Sequence, residues 1–459
     1  MDNFKNYISP CRKGHLIGIG GVSMAPLAEV LAGMNLKLTG SDISESDSVK
    51  RLESIGIKVY IGHASSNIEE DTEFLVRTAA VHDDNPEIIE ARRRNIPVFE
   101  RAEAWGAIMQ DYENAICIAG THGKTTTTSM CTHIMMAAEK DPTVMIGGTL
   151  PLLDSTGYRV GNGSSIILES CEYYDSFLKF YPTVAVITNV DEDHLDYFKD
   201  LEDIKESFRE FALRVPRERG KVIANIDDKN TMDAINGIDR TIITYGLKNN
   251  ADVYPENVAS IGATTTFDIM YKGNKFTTVT LHVPGVHNIY NALAATAATI
   301  CLGVKDVSVT YGLAGFNGAG RRFQYKGKYN GADIYDDYAH HPHELKALLD
   351  AVEPLGYKRL ITVFQPHTFS RTVALFDLFV EQLKRPDIVY LADIYAAREK
   401  NTYGITSKDI RDKLDNAIYF PTFDEIIKNL KSMAQPGDII LTVGAGNIYQ
   451  IGESLLEQN

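Results

Sequence analysis

Cysteine is scarce and scattered, with five in 459 residues. No two of Cys11, Cys117, Cys131, Cys171 and Cys301 have C-x-x-C spacing. That argues against a disulfide framework and against a thiolate zinc site. No apolar run approaches the ~18 residues needed to span a bilayer. Near Met1, the residues Lys5, Arg12 and Lys13 bracket no apolar stretch, so nothing there reads as a secretion signal. Positive charge is in deficit: 46 Lys and Arg against 61 Asp and Glu leave a net charge of −15. This balance disfavours a non-specific nucleic-acid or membrane-surface binder. The expectation is a soluble cytoplasmic protein without nucleic-acid or membrane partners, in which local groups hold any anionic ligand.

What is present is the composition of an ordinary globular protein, 44% apolar and 23% charged. The length suits about three domains. The stretch AICIAGTHGKTTTTSMCTHIMMAA, from Ala115 to Ala138, organises the rest. Ile116 to Ala119 reads as a buried strand and the residues after Thr125 as a helix. Between them a glycine loop turns backbone N–H groups and the positive end of the helix dipole toward one spot. Lys124 adds a full charge, and Thr125 a hydroxyl suited to a phosphate-bound Mg²⁺. Only two residues separate Gly120 from Gly123, unlike the standard G-x-x-x-x-G-K-[ST] loop. A glycine turn before a threonine-capped helix is the alternative, but the joint placement points to ATP or GTP.

Earlier in the chain, HLIGIGG (15–21) reads as a strand entering a glycine turn, followed by a helix and a second strand ending at Gly40-Ser41-Asp42. This begins a βαβ unit of the dinucleotide-binding kind, with an acid about 20 residues past the glycines. Ser23 replaces the third glycine of G-x-G-x-x-G, which weakens an NAD reading. Gly18, Gly20 and Gly21 suit the diphosphate of another nucleotide equally, with Asp42 or Ser41 at its far end, or form a structural turn. Strands at 58–63, 74–80 and 96–100 continue the alternation, and His63 faces the same ligand or is an ordinary histidine. The first domain is expected over 1–112.

In the second domain, expected over 113–317, the strand SIILES ends in Glu169, and TVAVITNV is followed by Asp191-Glu192-Asp193-His194-Leu195-Asp196. A carboxylate and an imidazole at strand C-termini sit where open α/β sheets bind ligands. With Thr125 they supply ligands for one or two Mg²⁺ ions. Asp191, Glu192, Asp193 and Asp196 themselves read as a solvated loop. After short strands between 221 and 283, Pro284-Gly285 turns into a helix that starts with amides. There Asn288 and Asn291 suit an adenine edge, or Asn288 caps the helix. Around 316–323 the chain becomes rich in Gly and Arg, reading as a hinge with Arg321 and Arg322. Beyond it, over 318–459, a further parallel α/β unit is expected. Its strand ends carry Asp336-Asp337-Tyr338-Ala339-His340-His341 and Gln365-Pro366-His367-Thr368-Phe369-Ser370-Arg371, a ligand surface by position.

GTHGKTTTT, the strand-end Glu169, DEDHLDYF, HNIYNALAA, GAGRRFQ and DDYAHHPHE occur in that order. Together they closely resemble the Mur ligase family, the ATP-dependent amino-acid ligases of peptidoglycan precursor synthesis, over essentially the whole chain. GIGGVSMAPLA, DDYAHHPHE and FQPHTFSRT look most like the branch that adds L-alanine. The nearest sister branch recycles whole murein tripeptide onto the same UDP-sugar. The resemblance implies three α/β domains: a Rossmann-like N-terminal domain, a central P-loop ATPase-type domain and a Rossmann-like C-terminal domain. It implies ATP and Mg²⁺ as cofactors and UDP-N-acetylmuramate and L-alanine as substrates; a monomer or weak homodimer is expected.

Residue roles follow from the same resemblance. Gly120, Thr121, His122, Gly123, Lys124, Thr125 and Thr126 would wrap the ATP phosphates, with Lys124 on the β/γ oxygens. Thr125 and Glu169 would hold one Mg²⁺ and His194 a second. Asn288 and Asn291 would contact adenine, Asp337 the ribose, and Arg322, with Arg321 nearby, the γ-phosphate. Gly20, Gly21, Ser41, Asp42 and His63 would hold the UDP-sugar, and His367 and Arg371 would lie near L-alanine. Several family members carry a carbamylated lysine after the DH motif, where this chain offers Lys205. Glu172 and Asp175 have no role assigned. The implied chemistry activates a carboxylate as an acyl phosphate, which an amine then attacks, with His194 or His367 available for its proton. An NAD-dependent oxidoreductase and a non-catalytic nucleotide switch are the rival classes.

Overall fold

The computed structural model describes residues 3–78, 81–195, 197–397 and 399–457. Three sheets follow one another along the chain. Up to residue 100 the alternating strands and helices build a five-stranded parallel sheet, ordered Lys58–Ile61, Lys37–Asp42, Lys13–Ile17, Phe74–Arg77, Val98–Glu100. The strand order reverses between Lys13–Ile17 and Phe74–Arg77, which opens a crevice beyond their C-terminal ends.

The second sheet has ten strands. At its centre lie Val184–Ile187, Asn114–Ala119 and Ser165–Glu169, paired in parallel. Ile116, Cys117, Ile118 and Ala119 are all fully buried, as befits a strand covered on both faces. The far edge is an antiparallel meander of Val253–Ile261, Thr264–Tyr271 and Asn274–Leu281. Val253–Ile261 is hidden in the sequence because Pro255, Glu256 and Asn257 break its pattern. It accommodates them with a register shift between Glu256 and Ala259 and an exposed outer half.

The third sheet is ordered Gln324–Tyr329, Ala332–Asp337, Asp438–Val443, Arg359–Phe364, Ile388–Leu391, Ala417–Tyr419. It is parallel except at one edge, which corrects the all-parallel expectation: Gln324–Tyr329 runs antiparallel to Ala332–Asp337. The cause is local. Asn330 and Gly331, with φ of 49° and 79°, close a two-residue hairpin.

Trp105 is fully buried where the first domain meets the second, its indole N–H donating to Ser23 O at 3.3 Å. Its helix, Arg101–Met109, lies against the segment Tyr173–Lys179, so the cores of the first two domains are continuous. Among the described residues no helix is long and apolar enough to cross a membrane.

Candidate functional site

The glycine loop expected to hold phosphate leaves the buried strand Asn114–Ala119 at Gly120, whose φ is 136°. A Cβ there would lie 1.9 Å from Thr188 Oγ1, so glycine is required by both conformation and space. Gly123, with φ 82°, is the N-cap of the helix Lys124–Ala137, and its missing Cβ leaves room for Asn291 Oδ1. The loop is braced from the next strand. Asn189 Oδ1 accepts from His122 N at 2.8 Å, and the Thr188 hydroxyl donates to His122 O at 2.6 Å.

Lys124 Nζ donates to Gly120 O and to Thr121 O, and lies 3.1 Å from a Glu172 carboxylate oxygen. Burial alone would lower its pKa; Glu172 reverses this and holds the ammonium above its ordinary value. His194 stacks on Tyr173 with 4.4 Å between ring centres, and its Nε2 is 3.9 Å from Glu172. Glu172, buried and without a role in the sequence reading, is therefore the link between Lys124 and His194. Beside them the Thr125 hydroxyl donates to Glu169 Oε1 at 3.1 Å, while Glu169 Oε2 accepts from Gly147 N at 2.7 Å. A hydroxyl and a carboxylate meeting at a phosphate loop form a hard-oxygen set of the kind that Mg²⁺ takes.

A cavity of about 240 Å³ opens next to the loop, lined by Gly123, Thr126, Asn288, Asn291, Arg322 and Asp337 among others. Asn288 is not the helix cap, which corrects that alternative. Gly285 holds the cap position, and the Asn288 amide donates to Pro284 O at 2.7 Å. Asn291 Nδ2 donates to Asn288 Oδ1 at 3.2 Å, so the two amides act as a unit. Asp337 accepts from Phe323 N and Ala339 N at 2.6 and 2.7 Å. Burial raises its pKa to about 6 against the pull of Arg322. Arg322 lies over Tyr338 and 3.9 Å from Glu344. Its neighbour Arg321 sits apart: the guanidinium holds Asp336 Oδ2 at 3.0 Å and the carbonyls of Gly444 and Gly446, within the C-terminal domain. A left-handed φ of 58° at Arg321 separates the two side chains.

The expected solvated loop at 191–196 is corrected for two of its members. Asp193 is buried against Arg371, at 2.7 Å. Burial would raise its pKa, but Arg371, His194 and His340 hold it well below the carboxylate range. Asp191 pairs with His343 and lies 3.4 Å from His122 Nε2, while His122 Nδ1 is 3.3 Å from Glu344. Those two carboxylates overcome burial and raise His122 to about 9. Glu192 is exposed as expected, and Asp196 lies outside the described residues. His122, Asp191, His341 and His343 cluster within 4.8 Å. His341 is already committed, through Nδ1 to His343 N and through Nε2 to Glu192 O, so the cluster is a clamp between domains. His367 lies 3.1 Å from Arg371 Nη1, and burial depresses its pKa to about 3. Lys205 pairs with Glu202 and Asp233 on an outer helix, away from Glu169 and His194.

A larger cleft, about 870 Å³, separates the first two domains and is lined by Gly18, Gly21, Asp42, His63, Arg101 and Glu169 among others. Asp42 Oδ2 accepts from Gly20 N at 2.9 Å, fixing the glycine turn. Ser41 is fully buried and does not face the cleft. Its hydroxyl donates to Glu87 Oε2 at 2.6 Å, and both lie beside His63 Nδ1. Burial would raise the Glu87 pKa, but His15, Ser41 and Asn67 bring it down to about 2. Sequence reasoning missed Glu87, Glu172 and Glu344; only Glu344, three residues after His341 in a capping box, leaves a local signal.

A glycine loop beside one cavity and a second, larger cleft that meet at one carboxylate suit an enzyme that brings two substrates together. Comparison with known proteins agrees. Three family descriptions match in order: "Mur ligase family, catalytic domain" over 13–113, "Mur ligase middle domain" over 118–299 and "Mur ligase, glutamate ligase domain" over 321–446. The chain belongs to the Mur ligase family. It is 45% identical over 450 residues to a UDP-N-acetylmuramate–L-alanine ligase of Clostridium novyi, covering 97% of both chains. It is 47% identical over 449 residues to one of Agathobacter rectalis, again covering 97% of both. Among solved structures, a UDP-N-acetylmuramate–alanine ligase of Thermotoga maritima superposes with a TM-score of 0.82 at 27% identity, over 97% and 98% of the two chains. A murein peptide ligase of Psychrobacter arcticus shares the fold, with a TM-score of 0.72 at 23% identity over 97% and 98%.

Proposed function

We infer that this chain is an ATP-dependent ligase that joins L-alanine to the lactyl carboxylate of UDP-N-acetylmuramate, a step of peptidoglycan precursor synthesis. One observation carries the reading beyond family membership. Thr125 lines the smaller cavity, Glu169 lines the larger cleft, and the two are hydrogen-bonded at 3.1 Å. A triphosphate in the first and a sugar nucleotide in the second therefore bring their reacting ends to one point.

Each part has a task there. A carboxylate oxygen attacks the γ-phosphorus and the bond to ADP breaks, leaving an acyl phosphate. The amine of L-alanine then adds to the acyl carbon, loses a proton and expels phosphate. The first step brings two anions together, so cations must offset their repulsion. Lys124 and Arg322 supply charge. Mg²⁺ held by Thr125 and Glu169, with His194 for a second ion, would neutralise phosphate oxygens. Asn288 and Asn291 face the adenine and Asp337 the ribose, while Gly20, Gly21, Asp42 and His63 hold the UDP moiety, with Ser41 steadying His63. Arg371 suits the α-carboxylate of L-alanine. His367, with its pKa near 3, is too weak a base for an ammonium proton and serves to position Arg371. The reading places the enzyme in the cytoplasm, where its nucleotides are, as a monomer or weak homodimer.

The test is phosphate release from ATP with Mg²⁺ and UDP-N-acetylmuramate, adding L-alanine or murein tripeptide in parallel. Release that needs both the sugar nucleotide and L-alanine is expected. Release with tripeptide alone would move the protein to the recycling branch, and release indifferent to both would overturn the ligase reading.

A further inference from the structure

Most cations around the two cavities already face a carboxylate: Lys124 has Glu172, Arg322 has Glu344, Arg321 has Asp336 and Arg371 has Asp193. Arg101 does not. It opens the helix Arg101–Met109 and lines the larger cleft, yet among the described residues its guanidinium has no hydrogen-bond or ion-pair partner. The acids nearest in sequence are committed elsewhere. Glu100 caps the helix and lies 3.6 Å from Arg77, and Glu103 accepts from Glu100 N at 2.9 Å. Cys171, exposed on the cleft wall it shares with Arg101, is a thiol that stays neutral at physiological pH and offers no counter-charge. Burial also disfavours the charge on Arg101 itself. A desolvated guanidinium facing a cleft is a fork awaiting an oxyanion.

The sugar nucleotide brings two kinds of oxyanion, a diphosphate and a carboxylate. The glycine turn at Gly18 to Gly21, with its backbone N–H groups, suits the diphosphate. Arg101 shares the cleft with that turn and lies near Cys171, two residues past Glu169, the carboxylate that meets Thr125 of the central loop. We propose that Arg101 grips the lactyl carboxylate of the sugar nucleotide, so that the cleft selects UDP-sugars bearing that group. This rests on the ligase reading above. One carboxylate oxygen stays on Arg101 while the other attacks phosphorus. The held oxygen becomes the acyl carbonyl, which takes negative charge when the amine adds, so Arg101 acts in both steps.

Binding of UDP-N-acetylmuramate and of UDP-N-acetylglucosamine, which has the diphosphate without the lactyl carboxylate, is measured calorimetrically for wild type, Arg101→Gln and Arg101→Lys. Loss of a charge-assisted hydrogen bond should weaken UDP-N-acetylmuramate about 10- to 100-fold in Arg101→Gln. UDP-N-acetylglucosamine affinity should stay unchanged, which also reports an intact cleft. Arg101→Lys should recover part of the affinity but little of kcat, because a flexible point charge holds one oxygen without the fixed geometry that aims the other at phosphorus. Equal losses for the two sugars would put Arg101 on the diphosphate and overturn the proposal, as would no loss for either. Wild type that binds neither sugar would overturn the ligase reading itself; normal wild-type binding with an unaffected Arg101→Gln would overturn the Arg101 assignment alone.

Discussion

Arg371 and Asp193 meet across the junction of the middle and C-terminal domains, with Nη2 and Nε at 2.7 and 3.2 Å from one carboxylate oxygen. Both side chains are about nine-tenths buried. A buried pair broken on one side leaves an uncompensated charge, at a cost of about 3–5 kcal/mol. Asp193→Ala and Arg371→Ala should each destabilise the C-terminal domain by this order. The double variant should lose at least about 1 kcal/mol less than the sum. Denaturant unfolding of the four proteins checks it, and additive losses would mean that the pair is not coupled.

Lys124 and His194 communicate through Glu172. In Glu172→Gln, Lys124 keeps its loop carbonyls but loses its counter-ion, so burial depresses its pKa and the phosphate end of the site is disordered. Turnover should fall about 10²-fold, the order expected for a preorganised electrostatic contact, with sugar-nucleotide affinity nearly unchanged. Lys124→Ala should abolish turnover and likewise spare that affinity. Steady-state kinetics with separate binding measurements decide; full turnover in Lys124→Ala would remove the central loop from the mechanism.

The parts that could be read from sequence are those whose cause is local. A strand, two glycines, Lys124 and Thr125 specify the phosphate loop within ten residues, and Glu169 and His194 stand out because each follows an apolar strand. Their counter-charges are a tertiary matter. Glu172, Glu344 and Glu87 look like any other acids until the chain folds Lys124, His122 and Ser41 onto them. Asp193 reads as solvated because its partner lies 178 residues away. Adjacent arginines 321 and 322 look equivalent, and only the left-handed backbone at Arg321 sends them to different places.

His122 bridges Asp191 of its own domain and Glu344 of the C-terminal domain, and its pKa of about 9 lies above the model-peptide value of 6.5. A raised folded-state pKa contributes stability that is complete below about pH 6.5 and disappears as pH rises through about 9. Wild type should therefore melt higher than His122→Gln at pH 6, and the gap should close by about pH 10. A pH-independent gap would show that packing, not charge, holds the phosphate loop to the C-terminal domain.

Gly106 tests how the cleft between the first two domains keeps its width. It lies inside the helix Arg101–Met109, where Ala is intrinsically favoured by about 1 kcal/mol. Yet a Cβ at this position would fall 2.0 Å from Lys179 O, a backbone atom of the middle domain that no rotamer change can move. Overpacking of this kind costs about 1–3 kcal/mol, which exceeds the propensity gain. Gly106→Ala should thus be destabilising, and by tilting the helix that begins at Arg101 it should also raise KM for UDP-N-acetylmuramate while leaving KM for ATP near its wild-type value. A variant that melts higher than wild type would mean that the two domains are not in contact along this helix in solution.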